Sequence, residues 1–68
     1  MRYIVKRDHF NIYHPNGIEE VNVGKILDVE RFESLENKQF AILKDGSWCV
    51  SKYRDMINIE KVQRKKQN

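Results

Sequence analysis

Residues 40–50 read FAILKDGSWCV, two short apolar runs around Lys44-Asp45-Gly46-Ser47. The turn between those runs decides the fold, because it sets which side chains share a face. A two-residue turn at Asp45-Gly46 puts Leu43 opposite Trp48 and leaves Phe40 and Ile42 on the other face with Cys49. A three-residue loop, Lys44-Asp45-Gly46 with its glycine left-handed, instead pairs Ile42 with Trp48 and Phe40 with Val50. That register gathers the four bulkiest residues on one face. Burying a large apolar side chain is worth about 1.5–3 kcal/mol, so the three-residue loop is favoured. Phe40, Ile42, Trp48 and Val50 are then expected in the core. Ala41, Leu43 and Cys49 share the opposite face, which is more apolar than a solvated face needs to be and is a candidate protein interface.

Outward from this hairpin, HFNIYHPNGIEEVNV (9–23) reads as another. Asn16-Gly17 is the dipeptide a type I′ turn demands, since both central positions need positive φ. That turn pairs Ile12 with Val21 and Phe10 with Val23, and sets His14 beside Glu19. RYIVKR (2–7) reads as a strand and MINIE (56–60) as a short closing one. VGKILDVERF continues Val21–Val23 as one strand bent at Gly24. SKYRDM (51–56) looks like a single helical turn capped by Ser51. Residues 28–38 carry Val29, Phe32 and Leu35 at three-residue spacing, which fits either a strand end followed by a polar loop or a short helix. The expected fold is mainly β, a small barrel of five or six antiparallel strands with one short helical turn. The alternative is an α+β fold with a helix at 28–38.

Sixty-eight residues make one small domain with little room for a deep substrate pocket. The longest apolar run, Phe40 to Leu43, is too short for a membrane span or a signal-peptide core, so a cytoplasmic location is expected. A single cysteine agrees with a reducing compartment. Residues 1–59 hold nine basic and nine acidic side chains, so the net charge of +3 arises beyond them. Residues 61–68 therefore read as a basic, disordered tail on a near-neutral domain spanning 1–60. Seven isoleucines, eight lysines and six asparagines fit the codon bias of an AT-rich genome, bacterial or phage.

Little in the chain points to catalysis. A zinc site needs three or four ligands, and His9, His14 and Cys49 lack the spacing; no metal and no cofactor is expected. Cys49, between Trp48 and Val50, reads as an inert packed thiol. The carboxylate pairs Glu19-Glu20 and Glu33/Glu36 read as solvated charges, and no glycine cluster forms a phosphate loop. Tyr3, Tyr13 and Tyr53 are candidate interface residues, since tyrosine is enriched at binding hot spots. Arg7, Arg31 and Arg54, with Lys61, Arg64, Lys65 and Lys66 of the tail, are the candidate nucleic-acid contacts.

From Val23 onward the chain resembles SH3-like small barrels of the KOW and Tudor type. The likeness lies in Val23-Gly24-Lys25-Ile26 with Val29, then Phe40-Ala41-Ile42-Leu43, Lys44-Asp45-Gly46-Ser47 and Trp48-Cys49-Val50. Ser51 through Ile57 corresponds to the helical turn before the last strand. The resemblance implies a five- or six-stranded barrel whose relatives bind nucleic acids or peptides and rarely catalyse. The leading expectation is a non-enzymatic binding module with a protein partner, acting as a regulator, adaptor or inhibitor. A neutral domain favours this over the alternative, a nucleic-acid-binding barrel with a basic tail. A homodimer is the third reading.

Overall fold

Short runs of β-branched and aromatic residues, punctuated by turn residues, fold here as strands throughout. The computed structural model describes residues 1–63. They form β1 (Arg2–Val5), β2 (Phe10–His14), β3 (Gly17–Val21), β4 (Ile26–Leu35), β5 (Lys38–Leu43), β6 (Trp48–Tyr53), β7 (Met56–Ile57) and β8 (Ile59–Lys61). One antiparallel sheet runs in the order β3-β2-β6-β5-β4-β1-β8, with β7 beside β6. It curls into a half-barrel. Two bulges help it bend: Glu30 is unpaired between Val29 and Arg31, and Ser51 is the extra residue between Val50 and Lys52. The Ser51 hydroxyl donates to the Gln39 carbonyl at 2.9 Å, so the extra residue is anchored.

The curl is tied on one side by Asn58, between β7 and β8. Its N–H donates to the Ser51 carbonyl at 2.9 Å, while its own carbonyl accepts from Lys6 N–H at 2.8 Å. Its side-chain amide donates to the Val50 carbonyl at 2.9 Å. One residue thus links β6 to the chain just after β1, two elements far apart in the sheet order. At the opposite end of the sheet, β3 has β2 on one side and an open edge on the other.

The FAILKDGSWCV hairpin has the expected register: Ile42 pairs with Trp48 and Phe40 with Val50. Gly46 has φ 92°, the left-handed position of the loop. The facing is the reverse of expectation. Ala41 and Cys49 are fully buried and Leu43 nearly so, in a core shared with Val5, Val29 and Ile12. Phe40, Ile42 and Val50 are half-buried and Trp48 is exposed. Ala41, Leu43 and Cys49 therefore offer no interface to a partner. The concave side of a tightly curled sheet brings side chains from all its strands together, so it takes small residues at its centre. The bulky set goes outside.

Other expectations are corrected with it. In the first hairpin His14 pairs with Gly17 and Phe10 with Val21, so Pro15-Asn16 occupy the turn. Proline's fixed φ suits the first central position of an ordinary turn, and this prevails over Asn16-Gly17. The two-residue shift preserves which residues share a face. Residues 22–25 break the strand expected to run through Gly24, and the Gly24 N–H donates to the Val5 carbonyl at 2.9 Å. Residues 28–38 hold no helix: the expected strand end extends as β4 to Leu35, and the expected polar loop shrinks to a turn at Glu36-Asn37. Apolar residues at three-residue spacing sit on an extended strand here because the Glu30 bulge resets its parity between Val29 and Phe32. The helical turn at 51–56 is absent: β6 continues to Tyr53 and turns back into β7. Ser51 fills the bulge where a helix cap was expected.

Candidate functional site

The outer face of the sheet carries the bulky set, and strand register arranges it in rows. Ile18, Tyr13, Trp48, Ile42 and Arg31 are successive cross-strand neighbours on β3, β2, β6, β5 and β4. The next row is Val50, Phe40 and Glu33. Beyond the Ser51 bulge come Met56, Tyr53, Lys38 and Leu35. Alternation of side chains along each strand, with the bulge restoring parity at Tyr53, puts all three rows on one face.

Aromatic packing holds the middle of this face. The Tyr13 and Trp48 rings stack with centroids 4.4 Å apart and planes 20° from parallel. Phe40 meets Trp48 edge-on at 5.6 Å. These arrangements suit the ring quadrupoles and rigidify the shelf without covering it. Trp48 retains 39% of its surface in solvent, and Ile18 and Leu35 each retain 65%. Single exposed apolar residues are ordinary, whereas a contiguous set spanning five strands is the pattern of an interaction surface.

Charge is unevenly placed around the shelf. At one end Arg31 donates through Nε to Glu33 at 3.0 Å, a pair that neutralises itself. At the other end Lys38 Nζ lies 5.7 Å and the Arg54 guanidinium 5.4 Å from the Tyr53 ring centre. Arg7, Arg54, Asp55 and Met56 line a shallow depression beside the same tyrosine.

Of the tyrosines singled out from sequence, Tyr13 and Tyr53 lie on this face. Tyr3 does not: it packs edge-on against Phe32, at 5.1 Å, along the rim of the core. Among the arginines, Arg7 and Arg54 come together while Arg31 sits on the outermost row. Lys61 pairs in register with Tyr3 on β8, away from the shelf. Arg64, Lys65 and Lys66 lie outside the described residues. Sequence reasoning missed Trp48, Phe40, Ile42 and Val50 as surface residues. The signal that finds them is size alternation, since the residues between them, Ala41 and Cys49, are small enough for a crowded interior.

A second, polar region lies at one mouth of the half-barrel, lined by His14, Glu19, Lys25, Asp28, Asp45 and Ser47. His14 Nε2 and Glu19 Oε1 are 2.8 Å apart, and His9 contacts Glu20. Asp45 accepts from the Ser47 hydroxyl at 2.5 Å and its N–H at 2.9 Å. The hydroxyl bond, then the N–H bond, holds the Asp45 carboxyl below its ordinary value. Ser47 is buried and its hydroxyl is committed to Asp45, so this pair closes the loop of the β5–β6 hairpin. Among the described residues no three His, Cys, Asp or Glu side chains gather as a metal site. Burial pushes the Cys49 thiol up to about 12, so it stays protonated and a poor nucleophile at neutral pH. No described helix is long and apolar enough to cross a membrane.

Compared with known proteins, the chain matches no family model, no curated protein and no solved structure.

Proposed function

We propose that this chain is a non-enzymatic binding module that docks a protein partner on the outer face of its sheet. The observation that carries the reading is the exposed Tyr13–Trp48–Phe40 shelf with Ile18, Ile42, Val50 and Leu35 around it. Tyr and Trp supply large contact area at low entropic cost, and such anchors dominate binding energy when a partner excludes water from them. An SH3-like barrel of the KOW or Tudor type is the finer form of the half-barrel under this reading. A cytoplasmic setting belongs to it as well, supported by the free, buried thiol of Cys49.

A nucleic-acid partner is the competing reading, and it draws on Arg7, Arg54 and Lys38 near Tyr53. A backbone with one charge per nucleotide asks for cations along the whole platform. Here they gather at one end, while Glu33 and Glu20 share the rest of the face with aliphatic side chains. The test is site-specific photocrosslinking in cells, with p-benzoylphenylalanine replacing Val50 on the shelf or Glu60 on β8. Protein adducts from position 50 and none from position 60 are expected. Adducts that nuclease removes, or equal labelling from both positions, overturn the reading.

A further inference from the structure

The three cations at the Tyr53 end of the shelf differ from the other charges of this face. Arg31 is engaged with Glu33, and Glu20 with His9. Arg7, Lys38 and Arg54 take part in no ion pair among the described residues. Two of them flank one aromatic ring, so their charge is held in place by cation–π contact; Asp55 and Glu36 line the depressions beside that ring without forming an ion pair, which leaves three cations against two carboxylates.

Arg54 adds an independent observation. It turns the chain from β6 to β7 with φ 54°, a left-handed conformation that glycine adopts freely and a side chain resists. Its N–H donates to the Asn37 carbonyl at 2.9 Å, a bond glycine would make equally well. The fold therefore prefers glycine at this position. His9 and Glu36 adopt the same conformation, so what singles out Arg54 is the guanidinium held over Tyr53, which points to use of the charge.

We infer that the shelf binds an extended acidic–apolar peptide segment, an inference that rests on the protein-docking reading above. Large apolar side chains of the segment sit on Trp48, Phe40 and Ile42, and carboxylates sit among Lys38, Arg54 and Arg7. Ile42 and Lys38 are four residues apart on β5, about 13 Å at the rise of a strand. The apolar anchor and the carboxylate of an extended partner are then separated by about four residues. Charge complementarity at one end also sets the direction in which the segment lies.

The test is selection of a random peptide library displayed on phage against the full chain, followed by titration of the enriched, fluorescently labelled peptide, read by its anisotropy. Enriched sequences are expected to carry Asp or Glu about four residues from a large apolar residue. Arg54→Gly should keep or raise the melting temperature while weakening that peptide about fivefold or more, an effect that shrinks as salt rises. Arg54→Gln, which removes charge without altering backbone freedom, should weaken binding alike. Enriched peptides without acidic residues, or unchanged affinity in both Arg54 variants, overturn the acidic partner; if their binding is still lost in Trp48→Ala, the docking reading survives. No enrichment at all, or displacement of the selected peptide by a single-stranded oligonucleotide whose own binding depends on Arg54, overturns both.

Discussion

The β5–β6 hairpin has two apolar faces that differ in size and in fate. Its inner face presents Ala41, Leu43, Cys49 and Ser51, all buried; its outer face presents Phe40, Ile42, Trp48 and Val50, each retaining some exposure. By transfer energy alone the outer set is the better core. Curvature reverses the choice, because the concave face of a half-barrel is crowded and the convex face is roomy. Apolar content identifies a face able to be buried. Side-chain volume decides which one is buried by this chain itself and which is left facing solvent.

The largest expected effect comes from opening the inner face. Leu27→Ala removes a buried side chain of β4 and should cost about 2–5 kcal/mol in denaturant unfolding. That is a large share of the stability of so short a chain. A cost under about 1 kcal/mol would mean that the inner face is not the true core.

Volume itself is tested next. Ala41→Leu overpacks a fully buried position and should cost about 1–3 kcal/mol. Val50→Leu adds one methylene on the outer face of β6 and should change stability by about 0.5 kcal/mol or less. Equal costs would break the comparison.

Trp48→Ala removes the largest side chain of the hairpin, yet should cost only about 0.5–1.5 kcal/mol through its lost contacts with Tyr13 and Phe40. A larger loss than that of Leu27→Ala would make the shelf a second core.

The smallest effect at neutral pH belongs to Cys49. Its thiol is raised from an ordinary 9.0 to about 12 in the folded chain. The unfolded chain thus releases that proton at lower pH, and stability falls as pH climbs from 9.0 toward 12. Denaturation midpoints at stepped alkaline pH should show this decline, and Cys49→Ala should flatten it. A slope equal in both proteins would place the thiol outside the core.

Much of this was legible in the residues. Glycine at 46 and the need to keep like with like gave the register of the central hairpin, and Asn16-Gly17 located the first hairpin to within a residue. Strand propensity marked β1, β2, β5 and β6. Tyr13 and Tyr53 were recognisable as surface candidates from their amphipathic chemistry. Tyr3, of the same chemistry, went to the rim of the core because its parity on β1 faces inward, opposite Leu27.

The remainder depended on contacts between residues far apart in the chain. Local pattern carried β4 only as far as Phe32; it continues as strand through the charged residues to Leu35 because β5 pairs with it there and satisfies its backbone. The gathering of Arg7 with Arg54 follows from the Asn58 link between β6 and the chain just after β1. Periodicity and turn chemistry, which are local, determined the strands, the hairpins and the two apolar faces of β5 and β6. The direction of curl, set by bulges and by closure through Asn58, is not local. It alone decided that the smaller apolar face was buried and the larger one left facing solvent.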